Sequence, residues 1–248
     1  MGSYTLQDLN LAGVKWELTE TPAKSNIQRA PIQQSFQQNQ PCSNQPIIIP
    51  ASAPITIDTV KSMVERPTDT DSLVRMICEF NHPLRNGATN PVKPNIAQNP
   101  NGLVIITDLP SADDDLSGNI LSGNAGEMTD KMLNAIEMSR ENVSMLSLVF
   151  WRTPGGRTPS REELDLSRPF VDKLLEMLNP RIIITFGTLV TAEIAKTNLN
   201  DAHGQEIKDE KGHIIVPLYH PNYLILKPSA KKDVWVALQN IQKLLKNS

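Results

Sequence analysis

Residues 103–126, LVIITDLPSADDDLSGNILSGNAG, open on an apolar, β-branched run, Leu103 to Ile106, of the length of a buried strand, and chain breakers follow at once. Next comes a loop with Asp108, Pro110, Ser111 and three consecutive acids, Asp113 to Asp115. Glycines at 118, 123 and 126 then lead into a helical pattern. A strand, a loop and a helix in that order make half of a βαβ unit. In open α/β sheets, ligands bind in the crevice beyond the carboxyl ends of the strands. Asp108 is therefore a candidate chemical group at such a crevice.

The pattern repeats along the chain. Glu127 to Met138 has Met128, Met132, Leu133 and Ile136 at helical spacing, and Val143 to Trp151 reads as a second buried strand that Thr153-Pro154-Gly155-Gly156 breaks. Ser160-x-x-Glu163 is a capping box for a helix over Arg161 to Leu178, with Leu164, Phe170, Val171, Leu174, Leu175 and Leu178 as its buried face. Arg181 to Phe186 is a third strand, and Gly187 turns into a helix that reaches Lys196. Residues 198–212 are polar and loop-like, His213 to Leu218 is a fourth strand, and Ser229 to Lys246 is a closing amphipathic helix. Upstream, Asp71 to Phe80 carries an apolar stripe that Asp69 or Thr70 can cap, and a loop runs over 81–101. Strands alternating with helices predict an α/β fold, a three-layer α/β/α sandwich around a central, mainly parallel four-stranded sheet. On that rule Asp108, the segment Arg152 to Arg157, Gly187 and His220 gather on one edge.

Composition bounds what such a domain can be. Of the 248 residues, those from Thr21 to Pro54 are rich in Gln, Asn, Pro and Ser and show no period, so they cannot bury enough apolar surface to offset chain entropy. The expected organisation is a short helix within 1–20, a disordered linker over 21–59 and a domain over 60–248. Two cysteines, Cys42 and Cys78, make neither a disulfide framework nor a zinc site. No apolar run approaches the ~20 residues of a membrane span, and no leader is recognisable, so a cytoplasmic monomer without membrane contact is expected. A net charge of −3 argues against coating nucleic acid by bulk charge and leaves a local basic face open.

Three motifs, in order, carry a family resemblance: Asp108-Leu109-Pro110-Ser111 followed by Asp114-Asp115, with Gly123 and Gly126; Trp151-Arg152-Thr153-Pro154-Gly155-Gly156-Arg157-Thr158-Pro159; and His220-Pro221-Asn222-Tyr223-Leu224. Together they resemble the uracil-DNA glycosylase superfamily, and within it the family 4 type, over about His82 to Leu245. The resemblance implies a repair enzyme that flips uracil or another deaminated base out of DNA and hydrolyses its N-glycosidic bond. It casts His220 as hydrogen-bond donor to the departing base and Asp108 as the group that positions or deprotonates water and faces the cationic sugar. Leu109, Pro110, Ser111, Leu121 and Ser147 would form the base pocket. Leu121 stands where the family has an aromatic ring and Ser147 where it has an asparagine. Arg152, Gly155, Gly156 and Arg157 would hold phosphates, and Asn222, Tyr223 and Leu224 would meet the DNA, the last two as minor-groove wedges.

The four cysteine positions of the family's iron–sulfur cluster fall on Glu79, His82, Trp151 and Ser167, which leads to the expectation of no cofactor and no metal. DNA is the expected partner, with a protein partner for the N-terminal region. Two other readings stay open: a pocket that binds DNA or a protein without cleavage, and, from the triple Asp, a metal-dependent phosphohydrolase.

Overall fold

The computed structural model describes residues 55–246. The helix expected within 1–20 and nearly all of the linker expected over 21–59 lie outside the described residues. The first described helix, α1 (Ile57–Val64), starts just before the domain boundary placed at 60 and is capped by Thr56.

Helices flank both faces of a five-stranded sheet of order β2-β1-β3-β5-β4, formed by β1 (Leu103–Thr107), β2 (Ser144–Ser147), β3 (Ile182–Phe186), β4 (Ile207–Lys208) and β5 (Ile214–Leu218). The α/β class holds with one strand more than expected. Four strands run parallel, and β4 pairs antiparallel with residues 214–215. Two residues in a polar stretch carry no period, so β4 exists only through its partner. Pro217, on the same outer side of β5 as Ile215, has no N–H to extend the pairing.

Alternate side chains of each strand enter opposite cores. Val104, Ile106, Leu146, Ile183 and Ile215 face α1, α2 (Thr70–Glu79) and α5 (Arg161–Leu178). Leu103, Ile105, Met145, Ile182, Ile184, Phe186, Val216 and Leu218 face α4 (Gly123–Asn134) and α9 (Lys231–Lys246). Burial on both faces is why the strands read as unbroken apolar runs; full burial of each such side chain contributes about 1.5–3 kcal/mol.

Helix α5 has the expected bounds, with both halves of the Ser160/Glu163 capping box formed. The acids expected in a loop instead make the first turn of α3 (Ala112–Ser117), where Ser111 and Asp114 form a second capping box and carboxylates suit the positive end of the helix. Helix α4 begins four residues earlier than its apolar period suggested, because Gly123 and Gly126 supply its tight start. At Gly126 a Cβ would lie 2.0 Å from the carbonyl oxygen of Leu121.

From β1 the chain passes to β2 on one side and then returns across β1 to β3 on the other. The switch point therefore lies between β1 and β3, where an open sheet leaves its crevice. Among the described residues no helix is long and apolar enough to cross a membrane.

Candidate functional site

Asp108 follows β1 at this switch point. Its carboxylate reaches across to the helix after β3, formed by α6 (Thr188–Val190) and a wider π turn over Thr191–Ala195. Oδ1 accepts the Val190 N–H at 2.5 Å. Gly187 makes the approach possible: its φ of +117° is closed to side chains, and a Cβ there would lie 2.1 Å from Asp108 Oδ2. Asp108 thus caps a helix 80 residues away in the chain. Burial pushes its carboxyl up to about 6, against the pull of the Val190, Leu189 and Thr188 N–H groups.

His220 comes off β5 as the cap of α8 (Pro221–Leu226). Its Nδ1 accepts the Asn222 N–H at 3.1 Å, so the ring proton sits on Nε2, which donates to Thr107 Oγ1 at 3.1 Å. Burial holds the imidazole down to about 4, with the charge of Asp114 opposing, and the ring is neutral at physiological pH. Thr107 and Ser147 are register partners on β1 and β2, both 1% exposed; the Thr107 hydroxyl meets the imidazole and the Ser147 hydroxyl donates to the Asp108 carbonyl at 3.5 Å. Of the residues expected on one edge, Asp108 and Gly187 meet there and His220 reaches it at Thr107, with Ser147, not the segment Arg152 to Arg157, as the neighbour on β2.

The other residues expected in the pocket are placed differently. Ser111 is occupied as a helix cap: its N–H donates to Asp114 Oδ2 at 2.8 Å and its hydroxyl accepts the Asp114 N–H. Phosphate binding by that N–H would have to displace the protein's own carboxylate. Leu109 packs against the core on the α5 side and Pro110 is buried. Leu121 has φ +50° and is 2% exposed within the α4 core, while its carbonyl accepts from Arg140 Nη2 at 2.7 Å. The three acids diverge: Asp114 also accepts the Ser122 N–H, Asp115 accepts the Thr89 N–H, and Asp113 lies against Gly123.

In the second motif Gly155 and Gly156 are exposed, with φ of +65° and +71°. Nothing lies within 4 Å of where their Cβ atoms would be, so they serve the turn and leave backbone open to a close approach. Arg152 is half-buried beside them. Arg157 is engaged by Glu163, with Nη1 to Oε2 at 2.8 Å and Nη2 to Oε1 at 2.6 Å, and its charge is already matched. That guanidinium holds the Glu163 carboxyl down at about 2. The stability it supplies is complete above about pH 4.5 and is lost as the pH falls toward 2. Glu163→Gln should cost about 1–2 kcal/mol at pH 7, discounted for the exposure of Arg157, and the gap should close in acid. Urea unfolding at both pH values checks this.

The third motif needs a correction. Leu224 is 1% exposed and packs in the α4 and α9 core, so it cannot enter a groove. The residues after His220 form a helix, which turns Leu224 inward and leaves Leu226 84% exposed. Tyr223, 38% exposed, lies between Tyr219 and the Lys227 ammonium, and Asn222 is exposed. The residues missed from sequence are Thr107 and Leu226, and Gly187, expected on this edge, proves to be the seat of the Asp108 carboxylate. A β-branched hydroxyl ending an apolar strand was the signal for Thr107.

A mainly parallel sheet whose switch point holds a half-buried carboxylate and a neutral imidazole defines an α/β protein with its chemical groups at the carboxyl edge of the sheet. Residues 95–242 match the uracil DNA glycosylase superfamily, and the chain belongs to that superfamily as a family 4-like member. It is similar to the type-4 uracil-DNA glycosylase of Archaeoglobus fulgidus, 26% identical over 66% of this chain and 86% of that protein. The enzyme of the same name from Pyrobaculum aerophilum is 29% identical over 53% of this chain and 72% of its own. That of Thermotoga maritima is 26% identical over 57% and 74%.

These relatives correct the expectation of no cofactor. They are type-4 enzymes, the branch whose resemblance brings an iron–sulfur cluster, so the comparisons point toward such a group. The four positions do converge in part. His82 stacks on Trp151 with ring centroids 4.6 Å apart, and its Nε2 lies 3.0 Å from the Glu163 carbonyl and 3.2 Å from Ser167 Oγ. An imidazole, an indole, a hydroxyl and a carboxylate, that of Glu79, are not a set of four thiolates. The residues present do not fit the group, and no step below runs through it.

Proposed function

We propose that this protein is a uracil-DNA glycosylase that hydrolyses the N-glycosidic bond of uracil, or of another deaminated base, in DNA. The observation that carries the reading is the neutral His220 imidazole, with its Nε2 donor at Thr107, the residue next to Asp108, at the switch point of a superfamily member.

As the bond between base and sugar breaks, its electron pair leaves with the base and charge spreads onto the base oxygens. A neutral imidazole donor beside the base stabilises that charge, directly or through a hydroxyl it holds, without giving up its proton. Asp108, ionised above about pH 6, faces the cationic sugar and orients the attacking water. The exposed Gly155-Gly156 backbone and Arg152 suit the phosphates, and Leu226 with Tyr223 suits the gap that the flipped base leaves. The wild-type chain should release uracil from single- or double-stranded DNA, and His220→Ala should lower the single-turnover rate by about 10²–10³. Absence of alkali-labile sites with every uracil substrate sinks the reading.

A second reading, DNA binding without cleavage, draws on one observation: the Asp108 carboxylate and the His220 donor are both engaged by the protein itself. Salt-dependent binding by a chain inert in the excision assay would favour it.

A further inference from the structure

Thr107 has a place in this site that the motifs do not give it. It is the last residue of β1, 1% exposed, and in register with Ser147 on one side and Phe186 on the other. Its Oγ1 receives the Nε2–H of His220 at 3.1 Å. The other ring nitrogen is committed to the Asn222 N–H, so Nε2 carries the imidazole's only donor, and Thr107 takes it. A hydroxyl that accepts through its oxygen still owns a rotatable O–H. Among the described residues the Thr107 O–H has no other side-chain partner. A base oxygen seated in the crevice has two ways to meet this pair. It displaces Thr107 from the imidazole, or it takes the hydrogen bond that Thr107 has left to give.

We propose that Thr107 is a base-contacting residue: its hydroxyl, held by the His220 N–H, donates its own O–H to the oxygen of the flipped base. The inference rests on the glycosylase reading and deepens it. When the glycosidic electron pair moves onto the base, the growing negative charge is met by the Thr107 O–H. That O–H is polarised in turn by the imidazole N–H behind it, and no proton leaves either group. Displacement is the poorer alternative. It would leave a buried hydroxyl next to a buried hydroxyl, Ser147, without the partner that now orients it. The chain also selects at the base edge, because a hydroxyl held as acceptor on one side presents a donor on the other and favours a carbonyl over an amino group.

The test is single-turnover excision from uracil DNA by the full chain carrying Thr107→Val, Thr107→Ser or Thr107→Gly, with folding followed by thermal melting and binding measured on abasic-site DNA. Thr107→Val keeps the β-branched shape and removes the O–H. It is expected to lose about a hundredfold in excision rate while binding abasic-site DNA as before, and Thr107→Ser, which restores the hydroxyl, is expected to recover most of the rate. Should Thr107→Val melt far below the wild type, the serine and glycine variants decide: serine active and glycine impaired supports the contact. A Thr107→Val or Thr107→Gly protein as fast as the wild type overturns it and shows His220 acting directly. A wild-type chain inert on every uracil substrate overturns the glycosylase reading, and with it this contact.

Discussion

Gly187→Ala is expected to lower stability by about 1–3 kcal/mol at pH 7.5 and to release the Asp108 carboxylate from its seat. At φ +117° and ψ 173° an alanine occupies a region open essentially to glycine, a strain of roughly 1–3 kcal/mol. The new methyl would also stand 2.1 Å from Asp108 Oδ2 and 2.5 Å from its Cγ, so the carboxylate must swing away and give up the Val190 N–H, and at pH 7.5 the hydration it regains offsets that lost bond. Neighbouring backbone has no slack, because the Gly187 N–H donates to the Leu218 carbonyl and the Gly187 carbonyl accepts from Thr191. Urea unfolding measures the loss. The displaced Asp108, back in water, should titrate near the ordinary carboxylate value and no longer near 6, moving the acid limb of the excision profile down. A variant whose acid limb stays near pH 6 would mean that Asp108 does not occupy this seat.

Much of this fold was readable from local chemistry, and the exceptions have a common cause. Helix α5 announces itself by a cap, a period and a stop within 20 residues, and the parallel strands by apolar runs that two-sided burial demands. The β4 strand, two residues long, and the π turn after α6 exist because of what they pack against, and nothing within their own residues marks them. Helix α3 is an instructive miss. Its Ser111-x-x-Asp114 box was present, but three acids in a row suggest a solvated loop until the helix dipole is weighed.

The site divides the same way. Asp108 and His220 were visible because they sit in ordered motifs, whereas their engagement by Val190 and Thr107 spans 82 and 113 residues and follows only from strand order. The reversal at Leu224 comes from a single helical turn. In an extended segment neighbours point apart, but after the His220 cap the positions rotate by 100° each, which buries Leu224 and exposes Leu226.

Asp108→Asn should move stability and activity in opposite directions. The folded protein binds the Asp108 proton more tightly than the unfolded chain does, because the carboxyl titrates at about 6 in place and at 3.8 in the open chain. The native state therefore loses stability as the pH rises from about 4 to about 6 and keeps that deficit above it, a difference of roughly 3 kcal/mol at most. Asparagine retains an oxygen for the Val190 N–H and carries no charge to desolvate. The variant should be more stable than the wild type by about 1–3 kcal/mol at pH 7.5, and the gap should close near pH 4. Excision runs the other way. The wild-type rate should climb through pH 6 as Asp108 ionises, and the variant should lose about 10²–10⁴ with no limb near that pH. Denaturation at the two pH values and a pH–rate profile test both halves. A variant less stable than the wild type at pH 7.5 would make Asp108 an ordinary helix cap whose charge is welcome where it sits. The expected pattern makes it a charge that the fold tolerates at a cost, and such a cost persists at a position where the charge is used.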